Sequence, residues 1–257
     1  MRKIAIIVSG MFILAACNDN EQDAGKKVKY SDHVSEGLKG DVAAIEETPY
    51  KADSTGKQGE MDSCCVDKWQ YDENGNYTGY SSKDSKGTLK AEAVAQRHEN
   101  GLWKGETTTR DGKTNKIETK VDDKGNWTTA ESSDSTGKRD YYYTGITQTE
   151  FGQVSGWKQY DKDSVFRQEW EAKFDKNLQT SYTTKDSTGK TKSSGAFKYN
   201  DKGEQTEASN TTVTKDSTTT TVTKYTYDSH DEQGNWTQRT TWDDKGKATK
   251  VTKRVYT

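Results

Sequence analysis

Residues 69–87 read WQYDENGNYTGYSSKDSKG, and they contain two turn patterns separated by one short segment. In each pattern an aspartate precedes a glycine by three positions, Asp72 before Gly75 and Asp84 before Gly87. Glycine adopts the positive φ that a tight turn requires, and an aspartate side chain accepts hydrogen bonds from the backbone of the turn. Asp72 and Asp84 are 12 residues apart, which leaves about eight residues for a strand. The stretch therefore predicts an antiparallel hairpin.

Both turn patterns recur over most of the chain. The first, in which Gly-Asn commonly precedes an aromatic residue, stands at residues 72–77, 122–127, 201–203 and 231–236. The second, close to Asp-Ser-Thr-Gly-Lys, stands at residues 53–57, 84–87, 134–138, 186–190 and 243–247. The two alternate, again with 12 residues from Asp122 to Asp134. This spacing suits consecutive hairpins and leaves no room for helices.

Aromatic side chains occupy alternate positions before several turns: Trp69 and Tyr71, Phe197 and Tyr199, Tyr225 and Tyr227. Residues two apart on a strand share a face, and polar residues stand between them, so one face of each strand is predicted to be buried. We therefore predict an all-β fold, a long antiparallel β-meander of repeated hairpins that forms a curved, partly single-layer sheet. The single proline, Pro49, is expected to disturb only one strand.

The first 16 residues have the order of a bacterial export signal. Arg2 and Lys3 precede an apolar run of about 13 residues, whereas a membrane-spanning helix needs roughly 20. The run ends in Leu14-Ala15-Ala16-Cys17, which resembles the lipobox of bacterial lipoproteins. The resemblance implies that residues 1–16 are a signal peptide and that Cys17 carries the lipid that attaches the protein to the membrane. An ordinary signal peptide with Cys17 nearby is the alternative.

The segment after Cys17 is polar and, at its start, acidic. Residues 17–36 have no periodicity, which is typical of a flexible linker, and the YD-like β-repeat domain is expected at residues 37–257. The acidic start also resembles the signal that sends some lipoproteins to the outer face of the outer membrane, while a solvated linker accounts for it equally well. We place the protein in the cell envelope, at the outer membrane rather than the inner one, and leave the membrane face open.

Charge and composition exclude several functions. The chain has 39 Lys and Arg and 41 Asp and Glu, and loss of the signal peptide would bring the net charge from −2 to about −4. Nucleic-acid binding calls for a basic surface, so we expect no nucleic-acid partner. Hydrophobic residues make up only 28%, which approaches the composition of disordered chains, but the aromatic content of 10% and the regular turns favour a folded repeat.

Tyr71-Asp72-Glu73-Asn74-Gly75-Asn76 fits the pattern Tyr-Asp-x-x-Gly-Asn, and Tyr227-Asp228 followed by residues 231–239 looks like the same unit with an insertion. In these residues the chain resembles bacterial lipoproteins that carry degenerate YD repeats of the RHS type. The resemblance covers about residues 37–257 and implies a β-repeat fold. Large YD-repeat proteins enclose a toxic C-terminal domain, and nothing after Trp242 looks like one, so toxin delivery is not carried over.

No catalytic constellation stands out. His33, His98 and His230 lack the spacing of zinc ligands and are expected at the surface. Adjacent aspartates such as Asp122 and Asp123 would hold calcium only weakly, because no loop has the spaced oxygen ligands of a dedicated site. We expect no enzymatic activity, no cofactor and no metal.

Cys64 and Cys65 are adjacent and have no other partner once Cys17 is acylated. Exported proteins meet an oxidising compartment, so a vicinal disulfide between them is one prediction. Two free thiols, or a cross-link between two molecules, are the alternatives.

Four Asp-Ser-Thr tripeptides begin at Asp53, Asp134, Asp186 and Asp216. They resemble an acceptor motif for O-glycosylation in some bacteria that export such lipoproteins. Simple turn chemistry accounts for the same tripeptide and is the preferred interpretation.

Two classes of function follow. The first is a non-enzymatic, membrane-anchored envelope lipoprotein whose repetitive sheet serves as a structural or protein-interaction surface. The second is a carbohydrate-binding surface lipoprotein, in which exposed Trp127, Trp157 and Trp236 would stack on sugar rings. The sequence names neither a protein nor a glycan partner.

Overall fold

The computed structural model describes residues 32–98, 103–122 and 125–257. One short helix, α1 (Asp32–Ser35), precedes a chain of strands. The strands are β1 (Ala44–Ala52), β2 (Gln58–Met61), β3 (Cys64–Tyr71), β4 (Tyr77–Asp84), β5 (Leu89–Arg97), β6 (Trp103–Arg110), β7 (Lys113–Val121), β8 (Trp127–Asp134), β9 (Arg139–Gln148), β10 (Val154–Asp161), β11 (Phe166–Asp175), β12 (Leu178–Asp186), β13 (Thr191–Tyr199), β14 (Gln205–Val213), β15 (Thr218–His230), β16 (Trp236–Trp242) and β17 (Ala248–Tyr256).

The sheet is closed, which corrects the predicted open and curved sheet. Each strand from β3 onward pairs antiparallel with the next, and β1 pairs with both β3 and β17. Over the described residues, sixteen strands thus form an antiparallel β-barrel, and β2 stands beside the ring. The all-β meander of hairpins is confirmed. The turn spacing could not distinguish an open sheet from a closed one, because closure depends on pairing between Ile45–Lys51 and Lys250–Tyr256, about 200 residues apart.

The two turn patterns lie at opposite ends of the barrel, because successive strands run in opposite directions. The turns at 72–76, 122–126, 200–204 and 231–235 form one end, which we call the lower rim. The turns at 53–57, 84–88, 134–138, 186–190 and 243–247 lie at the other end, the upper rim. Each turn pattern in the sequence therefore marks one end of the molecule.

The turns are built as the sequence predicts. Asp72 accepts hydrogen bonds from the backbone N–H groups of Asn74 and Asn76, both at 2.9 Å, and Gly75 has a φ of 74°. In the turn after β10, which lacks a glycine, Ser164 adopts the positive φ of 64° instead. A short polar residue thus tolerates the conformation that glycine supplies elsewhere.

Pro49 lies where β1 changes partner. Residues Ala44–Glu47 pair with β3, whereas Tyr50 and Ala52 pair with β2. The carbonyl of Pro49 accepts a hydrogen bond from the N–H of Asp62, in the break between β2 and β3. The proline therefore occupies a local irregularity, as expected of proline in a sheet.

The segment from Asp32 to Ala43 lies at the lower rim and belongs to the described fold, which thus begins upstream of residue 37. The N–H of His33 donates to the carbonyl of Gly75, and the N–H of Lys39 donates to Asn235 Oδ1 at 2.8 Å. The segment therefore bridges the turns after β3 and β15. The predicted signal peptide, Cys17 and the first part of the linker lie outside the described residues. Among the residues that are described, no helix is long and apolar enough to cross a membrane.

Candidate functional site

The pairing register places most aromatic residues on one side of the barrel wall. Ile45 lies opposite Trp69 on β3 and opposite Tyr256 on β17. When the register is followed around the ring, the same side also carries Tyr80, Tyr143, Trp157, Trp170, Tyr182, Phe197, Tyr225 and Tyr227. The predicted aromatic face is therefore present on one side of the wall, with small and polar residues in place of rings at the mid-strand positions of β5 to β8 and on β14.

This aromatic side is the inner wall. Ala91 and Ala93 share it and are only 3% and 6% exposed despite their small side chains, whereas Val94 on the other side is 57% exposed. Side chains converge on the concave side of a closed barrel and cover one another there. The interior of a barrel of this strand number is wide enough to hold water.

The outer wall carries charged side chains along the strands. Lys185 and Glu169 lie opposite each other with their charged atoms 3.3 Å apart, and Lys198 and Glu207 do so at 2.8 Å. Such cross-strand pairs are exposed and each adds little stability. They show that the outer surface is polar in the middle of the strands as well as at the rims.

Three neighbouring strands present an aromatic platform on the inner wall. The ring of Trp157 stacks on Trp170 with centroids 6.0 Å apart, and Tyr143 meets Trp157 edge-on at 5.3 Å. Gln159 on the same side donates to the hydroxyl of Tyr143 at 2.8 Å. All four side chains are half-buried, so rings and amides remain accessible from the interior. We call Tyr143, Trp157 and Trp170 the aromatic platform.

Trp127 belongs to a second aromatic pair. Its ring packs against the ring of Trp103 with centroids 5.2 Å apart. The backbone N–H of Trp127 donates to Gln148 Oε1 at 2.7 Å. Trp127 is half-buried beside the lower rim. The structure therefore keeps both Trp127 and Trp157 as candidates for ligand contact but does not bring them together.

Trp236 is not exposed, which corrects that part of the prediction. It is 7% exposed, because Arg254 and Arg239 lie over its ring at 3.9 and 4.7 Å and Tyr227 meets it edge-on at 5.8 Å. A tryptophan covered by two guanidinium groups offers no free face for a sugar. Arg239 lies three residues after Trp236 on β16 itself, whereas Tyr227 and Arg254 come from β15 and β17 and could not be assigned to Trp236 from the Gly-Asn-Trp pattern.

A buried ion pair lies beside Trp236. Arg254 Nε donates to Glu47 Oε1 at 2.6 Å across β17 and β1. Burial by itself acts to raise the pKa of Glu47, but the attraction of Arg254 and Arg239 outweighs it and the pKa is lowered. The same carboxylate raises the pKa of Arg254 against the effect of its burial. Both groups are therefore charged inside the wall.

Glu36 is buried close to this ion pair at the lower rim. It is 6% exposed and accepts a hydrogen bond from the hydroxyl of Tyr71. Burial raises the pKa of Glu36 to about 7, although the hydrogen bond from Tyr71 opposes the shift. A cavity of about 50 Å³ lies between Glu36, Trp236 and Arg254, which is room for a few water molecules and not for a sugar ring.

The histidines are only partly at the surface. His33 packs edge-on against Tyr71 with ring centroids 4.5 Å apart, and burial lowers its pKa. His230 Nε2 lies 2.5 Å from Glu204 Oε1 at the lower rim. In the described part of the chain, no group of three or more His, Cys, Asp or Glu side chains is placed to hold a metal ion.

Cys64 and Cys65 lie at the start of β3 with their sulfur atoms close enough to be bonded. They lie away from the aromatic platform, since the strands β4 to β8 separate β3 from β9 along the ring. Their state in solution stays a prediction, which the mass of the intact protein before and after reduction and alkylation would test.

The Asp-Ser-Thr tripeptides lie at the upper rim. In three of them the threonine hydroxyl donates to the aspartate at 2.6 to 2.7 Å, namely in Thr55, Thr136 and Thr188. These hydrogen bonds are the turn chemistry expected of the sequence. Glycosylation at these positions stays a prediction.

Sequence reasoning missed the charged residues of the inner wall. Glu47, Arg239 and Arg254 stand at alternate, inward positions of their strands and share their face with aromatic residues. The alternation was a usable signal, since a charge at an inward position of a strand implies a partner. Which partner it has depends on the pairing of β1 with β17, which local spacing does not encode.

No family model matches the sequence, and no curated protein matches it either. The structure is similar to a porin-like protein from Bacteroides uniformis, with a TM-score of 0.54 and 13% identity over 85% of this chain and 99% of that one. At this identity the likeness shows the fold alone, a β-barrel.

Two weaker similarities concern the Tc holotoxin pore of Photorhabdus luminescens and a Vibrio parahaemolyticus domain described as an outer membrane lipoprotein-sorting protein. The first has a TM-score of 0.29 and 13% identity, over 82% of this chain and 13% of the toxin chain. The second has a TM-score of 0.24 and 10% identity, over 84% of each chain. Neither score is high enough to support a conclusion about this protein.

Proposed function

We propose that this protein is a non-enzymatic, lipid-anchored protein of the cell envelope whose barrel binds a carbohydrate against its inner wall. The aromatic platform carries this proposal. Three adjacent half-buried rings on the inner wall, with the Gln159 amide beside them, offer both the flat apolar faces and the polar groups that a sugar needs. Aromatic side chains combine these properties at little cost in conformational freedom.

The outer wall argues against a pore in the lipid bilayer. A transmembrane barrel turns an apolar band outward, and each Lys or Arg at the bilayer midplane costs about 2–4 kcal/mol. Here the outward positions include Lys116 and Glu118 on β7, in addition to the pairs on β11 to β14. Attachment through a lipid on Cys17 would instead leave the barrel in water.

A sugar suits the interior better than an acyl chain does. Acyl chains are held by large aliphatic side chains, and from residue 37 onward the sequence has only four leucines and three isoleucines. The inner wall combines aromatic rings with the hydroxyls and amides of Thr, Ser, Asn and Gln.

The proposal is tested with the protein lacking residues 1–17, screened on a glycan array and measured by titration calorimetry. Trp157→Ala should abolish binding. The matched control is Tyr142→Ala, because Tyr142 stacks on Tyr160 at 4.9 Å on the outer wall, and this variant should bind normally. Both variants should keep the wild-type circular dichroism spectrum.

Binding to no glycan, or equal loss in both variants, would rule the proposal out. Capture of one specific envelope protein that survives Trp157→Ala would favour the protein-interaction function instead. An outcome of that kind would assign the recognition surface to the outer wall.

A further inference from the structure

Two hydroxyl groups of the inner wall are buried and unsatisfied. Thr252 is 2% exposed and Thr241 is 9% exposed, and among the described residues neither hydroxyl has a hydrogen-bond partner. Register places Thr252 opposite Arg239 and Thr241 opposite Lys250, so the four side chains are adjacent on β16 and β17. Buried polar groups normally have a partner, and a cluster without one calls for an explanation.

Arg239 is fixed in orientation next to these hydroxyls. Its guanidinium lies over the rings of Tyr225 and Trp236 at 4.8 and 4.7 Å, and its Nε has no hydrogen-bond partner among the described residues. Two ring faces hold the group through cation–π contacts, and the hydroxyl of Tyr227 is hydrogen-bonded to it as well, so the edge that contains Nε is what remains available. An arginine edge is suited to bidentate binding of a carboxylate or phosphate.

The charges in this part of the wall do not balance. Glu47 is bound by Arg254 at 2.6 Å, and both Arg239 and Lys250 also lie close enough to stabilise its negative charge. Three cations therefore face the ionised Glu47, and burial raises the pKa of Glu36 to about 7. Glu204 lines the same cavity as Arg239, but its carboxylate lies 2.5 Å from Nε2 of His230. The excess positive charge favours an anion.

We infer that Arg239, Lys250, Thr241 and Thr252 form an anion subsite on the inner wall, which takes the carboxylate of an acidic sugar. This inference deepens the proposed carbohydrate binding and rests on it. The guanidinium edge and the ammonium group supply charge, and the two threonine hydroxyls donate the remaining hydrogen bonds. The subsite explains why two buried hydroxyls have no partner within the chain.

The test compares oligosaccharides that contain a uronic acid with their carboxyl-reduced counterparts, which keep every linkage and lose only the charge. The protein lacking residues 1–17 should bind the acidic form about tenfold or more tightly, the ratio expected for hydrogen bonds to a charged group. Thr252→Val and Arg239→Gln should each remove most of this preference and leave binding of the neutral form unchanged.

Thr252→Val separates loss of the subsite from loss of folding, because it removes only an unpartnered hydroxyl and should not lower the melting temperature. Arg239→Gln also removes the contacts with the rings of Tyr225 and Trp236. Equal affinity for acidic and neutral forms, with binding still lost in Trp157→Ala, would overturn the subsite and leave the proposed function standing. Retention of the acid preference in both variants would also overturn it. Failure of every glycan on the array to bind would overturn the proposed function together with the subsite.

Discussion

At the scale of single residues, the molecule is unusual for the charge it holds inside its wall. Glu47 and Arg254 form an ion pair of which the arginine side chain is only 5% exposed, and Glu36 lies above it with Tyr71. Buried carboxyls and guanidinium groups need partners, since an unpaired buried charge is costly. Folding stability should therefore respond strongly to protonation and to the loss of one partner.

Replacing Glu36 by glutamine should change the dependence of stability on pH. The folded protein holds the Glu36 proton up to about pH 7, whereas an unfolded glutamate releases it at about 4.5. Between these values the folded state binds more protons, so stability falls as the pH rises. Relative to wild type, Glu36→Gln should gain about 3 kcal/mol above pH 7 and nothing below pH 4.5.

Urea unfolding of the two proteins at several pH values measures this difference. A constant offset between the curves would contradict the assignment of the raised pKa to Glu36.

The Glu47 and Arg254 pair should show coupling in a double-mutant cycle. Arg254→Gln leaves Glu47 buried without its partner and should cost about 3–5 kcal/mol in the free energy of unfolding. Adding Glu47→Gln should recover a large part of that loss, because the stranded charge is removed. Urea unfolding of the single and double variants gives the coupling energy. Strict additivity of the two single effects would exclude a direct interaction.

At this scale the sequence predicted the aromatic residues of the site better than the charged ones. Trp157 was proposed as an exposed aromatic residue that could stack on a sugar, and it lies in the aromatic platform. Trp236 was proposed on the same ground but is covered by Arg239 of its own strand and by Arg254 of β17. The contact with Arg254 depends on strand pairing, which a local pattern does not contain.

At the scale of the elements, three hairpins combine a turn with a tyrosine near the end of a strand. Tyr199, Tyr227 and Tyr256 donate their hydroxyls to backbone carbonyls at the start of the preceding strand, at 2.7, 2.9 and 2.8 Å. Burial raises the pKa of Tyr199 to about 12, so the hydroxyl stays protonated. These bonds give a physical reason for a tyrosine next to the turn in the repeated pattern.

Gly189→Ala should test the backbone conformation of an upper-rim turn in isolation. Gly189 has a φ of 82°, and a Cβ atom there would meet nothing within 4 Å. The variant should lose about 1–2 kcal/mol from left-handed backbone strain alone. Ser187→Ala in the same turn is the control and should change stability by less than about 0.5 kcal/mol.

Chemical denaturation of both variants measures these losses. Equal effects of the two substitutions would mean that side-chain contacts, and not the positive φ, stabilise the turn.

The elements were the most predictable part of the structure. The Asp and Gly positions located turns such as 84–88 and 186–190, because a turn is made by residues that are adjacent in sequence. In the turn at 200–204 the accepting side chain is Asn200 and not Asp201. Asparagine can take the same role, so this turn begins one residue before the aspartate of the sequence pattern.

At the scale of the whole molecule, closure removes the two free edges that an open sheet would have. Residues Ile45–Lys51 of β1 pair with Lys250–Tyr256 of β17 and complete the ring. Unpaired edges are templates for association with other chains. Closure could not be predicted from turn spacing, since it joins the first strand of the ring to the last.

Deleting residues 248–257 should open the barrel. Loss of β17 exposes the edges of β1 and β16 and removes Arg254 from Glu47. We expect the truncated protein to form oligomers or aggregates in size-exclusion chromatography, and its β1 amides to lose protection from hydrogen exchange. A monomer with wild-type protection in β1 would show that the seam with β17 does not stabilise the ring.

The barrel wall is a single sheet, and the side chain at each position along a strand faces either the inside or the outside. The two sets of residues can consequently be varied independently: an engineer could recode every second residue of β11 or β12 to change solubility or surface labelling and leave the lumen as it was. The same separation applies in evolution, so the outward-facing residues of such a barrel can diverge in sequence while the inward-facing residues stay the same.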